Sequence, residues 1–173
     1  CHCANSATTL DSPDMHLDMV RPGIIVYGYY ADEVSKEYLV SKGKNVELKP
    51  VMTLESCVSS IRKFEKGKFA GYGCRWEAKS DTNVGVVPIG YADGFTRANQ
   101  GREVYINGHY YPVVGRVCMD QCMVKVDENV KPGDDVEIFG EHISLAKMAK
   151  EINTIPYEII CLISPRVERI YEK

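Results

Sequence analysis

The sequence predicts a mainly β protein whose first part is the end of an α/β segment. The run Val20–Gly28 is almost continuously apolar, with an Arg-Pro-Gly turn signal near its start, as in a strand buried on both faces of a parallel sheet. From Val46 the pattern changes to short alternating segments separated by turn residues. Asn107-Gly108, between two such segments, is a strong signal for a β-hairpin. We therefore expect a domain boundary near Lys42–Val46.

The part before this boundary contains three predicted elements. Residues 8–13 form a helix or a turn, 20–28 form the buried strand, and 31–41 form a short helix that ends at a Lys-Gly-Lys turn. An element order of this kind is typical of the tail of an α/β unit.

The part after the boundary is dense in predicted strands, which indicates a β sandwich or a barrel-like domain. A helix is predicted over 144–152, because Ser144 is a good N-cap and apolar residues follow on one stripe. Turns are predicted at 66–68 and 131–134. Strands are predicted at 48–62 (one or two strands), 69–76, 83–89, 103–106, 109–112 with a continuation through 113–126, 135–139, 157–163 and 166–171.

Composition narrows the function classes. The chain has 173 residues, a net charge of -3 and a sequence pI near 5.8, so it lacks the basic excess of a nucleic-acid-binding domain. No apolar run approaches the length of a membrane span. The start, Cys1–Ser6, resembles neither a signal peptide nor an initiator, and we expect the chain to begin inside a longer protein.

Seven cysteines are present, and none of them has Cys-x-x-Cys spacing. The tight Cys1-His2-Cys3 sequence does not suit a zinc knuckle. We expect no metal site and interpret the cysteines as reduced, mostly buried thiols of a cytoplasmic protein.

Two stretches combine apolar residues with unexplained charges. Pro112–Met123 is mostly apolar, as a core strand would be, yet Arg116 and Asp120 interrupt it. Val86–Gly94 contains Asp93 in a similar setting. Because an unpaired buried charge is unfavourable, these residues need partners or a binding site. We expect both stretches to line one site.

Other residues are candidates for binding or catalysis. The Arg21–Ile24 turn and the pair Asn5-Ser6 could together hold a phosphate, because a glycine lets backbone N–H groups approach an anion. Tyr72 lies between two glycines and Tyr91 between a glycine and an alanine. Each tyrosine, taken alone, is better explained as an ordinary half-buried strand residue.

Seven separated motifs follow one another along the chain: His2-x-Ala4-Asn5-Ser6, Arg21-Pro22-Gly23-Ile24, Leu48-Lys49-Pro50-Val51-Met52, Tyr72-Gly73, Gly90-Tyr91-Ala92-Asp93-Gly94, Gly115-Arg116-Val117-Cys118-Met119-Asp120-Gln121 and Tyr157-Glu158. In order and approximate spacing they closely resemble the carboxy-terminal half of bacterial alanine racemases.

The resemblance implies the architecture of that family. Its members have a (β/α)8 barrel that carries pyridoxal phosphate, followed by a β-rich domain. They form head-to-tail homodimers in which the β domain of one subunit completes the active site of the other. Residues 1–44 would then be the last part of the barrel, and 45–173 the β domain. The implied activity is interconversion of L- and D-alanine, which supplies D-alanine for peptidoglycan in the cytoplasm.

The resemblance also implies a cofactor site. Arg21 corresponds to the arginine that faces the pyridine nitrogen, and His2 to the histidine that holds this arginine. Arginine has a pKa above about 12, so it does not give its proton to the pyridine nitrogen. The nitrogen therefore stays unprotonated, and the cofactor is a weaker electron sink. The residues implied to bind the phosphate are Asn5, Ser6, Gly23, Ile24 and Tyr157.

A second set of implied roles concerns the substrate. Tyr72 corresponds to the catalytic tyrosine that acts from the partner subunit, since racemisation by two bases needs one base on each face of the α-carbon. Met119 corresponds to the residue whose backbone holds the substrate carboxylate.

The corridor through which substrate enters corresponds to Tyr91, Arg97, Arg116, Asp120 and Ile155. Its two arginines would attract a carboxylate, or alternatively form rim salt bridges with Asp93 or Asp120.

The lysine that holds the cofactor in this family belongs to the first barrel strand, which precedes Cys1. We therefore expect the 173-residue chain alone to be inactive. Two alternatives stay open. One is a serine racemase of the same fold, which Tyr157 disfavours if a smaller polar residue there makes room for serine. The other is a non-catalytic dimerisation module.

Overall fold

The computed structural model describes residues 1–31 and 33–172. It divides into two compact units. The amino-terminal unit comprises Cys1–Met52 and Ile155–Tyr157, and the β-rich unit comprises Thr53–Thr154 and the residues from Glu158 onward. The division thus falls several residues after the boundary expected near Lys42–Val46. The assignment of residues 1–44 to a barrel stays a prediction.

The amino-terminal unit begins with helix α1, Ser6–Asp11. Asn5 is its N-cap, and the Asn5 side chain accepts a hydrogen bond from the backbone N–H of Thr8 at 3.0 Å. A helix was one of the two predictions for 8–13, and it starts two residues earlier because Asn5 supplies the cap. A short 3-10 helix, Pro13–Met15, follows.

The apolar run Val20–Gly28 is not a strand, and that prediction is wrong. Its second half is a 3-10 helix, Ile24–Tyr27. Within the run Ile24 is buried, whereas Val26 and Tyr27 are exposed. A short apolar run does not distinguish a strand from a helical segment, because its periodicity is too brief.

Helix α2 covers Lys36–Ser41, which is the second half of the predicted range 31–41. The side chain of Ser35 caps it by accepting a hydrogen bond from Tyr38 N–H at 3.2 Å. Ala31 and Val34 form an isolated antiparallel bridge instead of helix, so the prediction is wrong for that half.

The β-rich unit confirms the mainly β fold class. Its main sheet has seven strands in the order β1-β9-β6-β7-β8-β5-β2, and every pair in it is antiparallel. Strands β3 and β4 form a separate pair. The strands are β1 Leu54–Cys57, β2 Ser60–Phe64, β3 Phe69–Ala70, β4 Trp76–Glu77, β5 Thr82–Val87, β6 Glu103–Ile106, β7 His109–Val114, β8 Cys122–Val126 and β9 Asp135–Phe139.

The main sheet is curled. Strands β1 and β2 lie at its opposite edges, yet only Val58 and Ser59 connect them. The three Cα–Cα steps from Cys57 to Ser60 span at most about 11 Å, so the edges must approach each other. Val58 N–H donates to Asp134 O, and Ser59 N–H donates to Val86 O, which ties the connection to both edges. The buried core includes Val84, Val87, Phe95, Val104, Ile106, Val113, Val124, Val136, Ile138 and Phe139.

Several strand predictions are confirmed and two are interrupted. The β6–β7 hairpin turns at Asn107-Gly108 as predicted. The predicted strand 69–76 is broken by a 3-10 turn, Tyr72–Cys74. The continuous strand predicted through Pro112–Met123 is also wrong, because β7 ends at Val114 and β8 begins at Cys122. The interruptions coincide with the candidate site residues.

Two helices end the chain's regular structure. Helix α3, Leu145–Glu151, is confirmed with Ser144 as its N-cap. Helix α4, Pro156–Leu162, replaces the strand predicted at 157–163, and no strand forms at 166–171 in the described chain. Proline at the first helical position and buried Ile159 and Ile163, four residues apart, favour the helix. None of the helices described is long and apolar enough to cross a membrane.

Tyr111 makes the folding stability of the β-rich unit depend on pH in the alkaline range. It is buried on β7, and its hydroxyl donates to Asp127 Oδ1 at 3.0 Å. Burial, together with this carboxylate, raises the pKa of Tyr111 to about 12. A phenol with a raised folded-state pKa contributes stability that is complete below its unfolded pKa, near 10, and is lost as the pH rises to about 12.

We expect Tyr111→Phe to flatten the dependence of unfolding free energy on pH between about 10 and 12. Urea unfolding at several pH values measures this. Tyr110→Phe, at the neighbouring half-exposed position on the same strand, serves as the control and should leave the slope unchanged. Equal slopes for the Tyr111 variant and the unaltered protein would contradict the assignment.

Candidate active site

The predicted site residues divide between the two units. The cofactor residues and one corridor residue lie in the amino-terminal unit: His2, Asn5, Ser6, Arg21, Gly23, Ile24, Ile155 and Tyr157. The catalytic, substrate and remaining corridor residues lie in the β-rich unit: Tyr72, Tyr91, Arg97, Arg116, Met119 and Asp120.

Ser6 and Gly23 are brought together in the amino-terminal unit. The Ser6 hydroxyl accepts a hydrogen bond from Gly23 N–H at 2.8 Å, and Ser6 is only 4% exposed. Ile24 follows Gly23 at the start of the 3-10 helix. The first N–H groups of a helix have no acceptor inside it, so they are available to an anion. Asn5 differs, because its side-chain oxygen already caps α1.

Arg21 and His2 form a direct pair. Arg21 Nη1 lies 2.6 Å from His2 Nδ1. A guanidinium can only donate, so His2 Nδ1 accepts and the neutral imidazole carries its proton on Nε2. Arg21 N–H also donates to Ala4 O at 2.8 Å, which aligns the two segments. The pair thus fixes the direction of a permanently charged donor.

Tyr157 and Ile155 lie at the start of α4 and belong to the same unit as Ser6 and Gly23. Tyr157 is half-buried and Ile155 is exposed. The sequence grouped Ile155 with the corridor residues, whereas the structure places it in the amino-terminal unit.

Tyr72 is presented on a turn. Its side chain is 73% exposed, so the alternative of a half-buried strand position is wrong. Gly71 and Gly73 have φ values of 75° and 72°, which L side chains rarely adopt. A Cβ on Gly73 would lie 3.6 Å from Arg116 Nη1, so the Arg116 guanidinium lies beside the residue that follows Tyr72.

The loop 90–94 packs closely on the loop 115–121. Tyr91 N–H donates to Cys118 O and Ala92 N–H to Met119 O, both at 3.0 Å. A Cβ on Gly90 would lie 2.3 Å from Met119 O, so this approach requires a glycine. Residues 71–74, 90–94 and 115–121 together are here called the three-loop surface. The expectation that the two charged stretches line one surface agrees with this contact.

The charges of the three-loop surface are paired selectively. Arg166, after α4, contacts Asp93 Oδ1 at 3.4 Å through Nε and Asp120 Oδ1 at 2.7 Å through Nη2. Within residues 1–31 and 33–172, neither Arg97 nor Arg116 forms an ion pair. The alternative of rim salt bridges from these two arginines is therefore wrong for the described chain.

Sequence reasoning missed Arg166. The segment around it was predicted as a closing strand. The one feature of the sequence that pointed to such a residue was the pair Asp93 and Asp120, which need a cation. The sequence does not indicate which of the chain's cations meets that need.

Cysteines lie in the three-loop surface, at positions 74 and 118, and directly after it, at position 122. Cys122 is fully buried, and burial raises the pKa of its thiol to about 12. Cys118 is half-buried, and the other cysteines are exposed, which corrects the expectation of mostly buried thiols. In the described part of the chain, no group of three His, Cys, Asp or Glu side chains could hold a metal ion.

Known families match both parts of the chain. A family described as "Alanine racemase, C-terminal domain" matches residues 51–171, and "Alanine racemase, N-terminal domain" matches residues 1–31. Alanine racemase of Methanococcus maripaludis is 45% identical over 176 residues, covering 98% of this chain and 46% of the relative. That of Clostridium tetani is 44% identical over 178 residues, covering 98% and 44%.

A solved structure of alanine racemase from Clostridium difficile 630 aligns with a TM-score of 0.89 and 43% identity, over 99% of this chain and 44% of that one. The part of these isomerases that this chain matches contains their carboxy-terminal, β-rich domain. The chain belongs to the alanine racemase family. It spans about half the length of the curated relatives that it matches.

We expect Gly90→Ala to disrupt the three-loop surface. The added Cβ would force the two loops apart, at a cost of about 3 kcal/mol or more in unfolding free energy. Gly85→Ala is the matched control, because a Cβ there meets its nearest atom, Val58 Cγ1, at an ordinary 3.5 Å. Urea unfolding of both variants measures the difference, and similar costs would contradict the close contact.

Proposed function

We propose that the full-length protein containing this chain is a pyridoxal-phosphate-dependent racemase that interconverts L- and D-alanine. The observation that carries the proposal is the three-loop surface of a member of the alanine racemase family. It presents the exposed Tyr72, and the next residue, Gly73, lies beside Arg116, which forms no ion pair with the described residues. D-alanine made in this way would serve peptidoglycan synthesis in the cytoplasm. The head-to-tail homodimer belongs to the same proposal.

The residues of the amino-terminal unit fit the cofactor. The Ser6 hydroxyl, the Ile24 N–H and Tyr157 would hold the phosphate. Gly23, whose N–H donates to Ser6 Oγ, would orient that hydroxyl, and Asn5, whose side-chain oxygen caps α1, would offer its amide N–H₂. The Ser6 hydroxyl accepts from Gly23 N–H, so its own proton stays available to donate to a phosphate oxygen. When bound, pyridoxal phosphate stabilises negative charge on the α-carbon of an amino acid.

Arg21 and His2 would set the electronic character of the cofactor. Arg21 is a charged donor that does not release its proton at physiological pH, so it would hydrogen-bond to the ring nitrogen without protonating it. His2, which accepts from Arg21 through Nδ1, would keep the guanidinium in position. The resulting moderate electron withdrawal favours return of the α-proton over side reactions.

Met119 is suited to bind the substrate carboxylate through its N–H. In a trans peptide the C=O and N–H groups point in opposite directions. Cys118 O, in the same peptide group as Met119 N–H, accepts from Tyr91 N–H. The Met119 N–H therefore points away from the loop 90–94 and is held in that direction. Arg97 and Arg116 would draw the carboxylate through the corridor, whose other members are Tyr91, Asp120 and Ile155.

Tyr72 would be one of two bases. A base on one face of the α-carbon removes a proton, and a group on the opposite face returns one. By the resemblance to the family, the second base would be the cofactor lysine of the first barrel strand, a position that no lysine of these 173 residues matches. We accordingly propose that the chain alone does not catalyse racemisation.

For the full-length enzyme we expect Tyr72→Phe to lower the racemisation rate roughly 100-fold or more. One base remains, so exchange of the α-proton in deuterated water should persist for one enantiomer without conversion to the other. Proton NMR and polarimetry measure the two processes. Tyr110→Phe is the control, because its hydroxyl donates to His142 O outside the three-loop surface. No exchange in the unaltered enzyme with either enantiomer would refute the proposed function.

The 173-residue chain with added pyridoxal phosphate should show no racemisation of L-alanine above that of the free cofactor. Chiral chromatography after prolonged incubation measures this, with the full-length enzyme as the positive control. Turnover by the short chain would refute the need for residues outside it.

A further inference from the structure

Arg166 connects two loops of the three-loop surface although it lies outside both. Its Nε faces Asp93 Oδ1 at 3.4 Å, and its Nη2 faces Asp120 Oδ1 at 2.7 Å. Asp93 belongs to the loop 90–94 and Asp120 to the loop 115–121. A single planar guanidinium therefore fixes the separation of the two carboxylates, which a point-like ammonium would do less well.

Asp93 is buried, with only 8% of its surface exposed, so its carboxylate has little access to water. Its Oδ2 accepts from Gly90 N–H at 2.9 Å, so the carboxylate also closes its own loop. A buried carboxylate needs a counter-charge and hydrogen bonds, and among the described residues Arg166 supplies the only ion pair to Asp93.

The segment that carries Arg166 is itself held in place. Ser164 N–H donates to Asp93 O at 3.1 Å. The guanidinium of Arg169 donates to three carbonyl groups at 2.9 to 3.2 Å, those of Ile163, Ser164 and Val167. The hydrogen bond to Asp120 and the charge of Asp93 raise the pKa of Arg166 above its ordinary value, so it stays charged.

We propose that Arg166 is a positioning residue for substrate binding: it holds the loops 90–94 and 115–121 together and neutralises Asp120. This inference rests on the proposed function. Through the two backbone hydrogen bonds between these loops, the link fixes the peptide group that aims the Met119 N–H. It also leaves Arg97 and Arg116 available to a carboxylate, because Asp120 is already paired.

Removal of Arg166 would have two consequences for a carboxylate substrate. The loops would lose their common cation, so the Met119 N–H would be less well aimed. Asp120, on the same loop as Arg116, would become an unpaired negative charge and would compete with the substrate for that cation. Both effects weaken binding of substrate, whereas Tyr72 lies on the loop 71–74, with which Arg166 forms no hydrogen bond or ion pair in the described part of the chain.

The test uses the full-length enzyme. We expect Arg166→Met to raise the KM for alanine about tenfold and to change kcat less than about threefold, the pattern of lost uniform binding. Arg166→Lys should raise the KM less than Arg166→Met does, because it keeps the positive charge. Asp120→Asn in the Arg166→Met background should also lower the KM again, because it removes the unpaired charge. A merely structural role of Arg166 would not give rescue by removal of its own partner.

Arg102→Met is the matched control. Arg102 Nε forms an ion pair with Glu151 of α3 at 2.7 Å, and neither residue belongs to the three-loop surface, so its loss should affect stability and leave the KM unchanged. If Arg166→Met behaves like Arg102→Met, or lowers kcat with an unchanged KM, the inference is overturned. Should Arg166→Met not fold, the comparison of Arg166→Lys with Arg102→Lys decides in the same way.

A second measurement separates this inference from the proposed function. Hydrogen exchange of the Tyr91 and Ala92 amides reports the contact between the two loops directly and needs no activity. We expect about tenfold faster exchange in Arg166→Met and no change in Arg102→Met. Unchanged exchange refutes the link between the loops. Faster exchange in an enzyme that does not act on alanine supports the link and refutes only the proposed function.

Discussion

The contact between the loops 90–94 and 115–121 determines how the β-rich unit presents its candidate site. Two backbone hydrogen bonds of 3.0 Å join the loops, and the position of Gly90 leaves no room for a Cβ. Hydrogen bonds between backbones at this distance fix peptide orientations more strictly than contacts between flexible side chains do. The orientation of the Met119 peptide, and hence any binding of a carboxylate by its N–H, depends on this contact.

The sheet explains why these loops meet. Strand β5 pairs with β8, so the segments that leave them, toward Gly90 and from Gln121, emerge side by side. Strand β7 pairs with the other edge of β8, and its exit leads into the loop 115–121. The curled sheet is thus the base from which the loops 90–94 and 115–121 leave side by side. Such a division is common in enzymes, because loops can carry chemistry while the scaffold keeps them in place.

Charge pairing gives the surface its chemical character. Arg166 pairs with Asp93 and Asp120, whereas Arg97 and Arg116 form no ion pair in the part of the chain described here. A surface with free cations and paired anions attracts carboxylates. The described part of the amino-terminal unit also contains a cation without a neutralising partner, since the neutral His2 orients Arg21 and leaves its charge uncompensated. Both arrangements leave a charged group directed and available.

The sequence by itself determined the β-rich class, the Asn107-Gly108 hairpin and the cap of α3 at Ser144, because these depend on local pattern and turn chemistry. Its ordered motifs also identified the family, and its charged residues in apolar stretches pointed to the three-loop surface. Only the tertiary structure decided three other features. The run Val20–Gly28 is partly a 3-10 helix and not a strand, and residues 156–162 form a helix. The partner of Asp93 and Asp120 is Arg166, 46 residues beyond Asp120. Short apolar runs suit either helix or strand, and an ion pair between distant residues depends on the path of the chain, which no local pattern encodes.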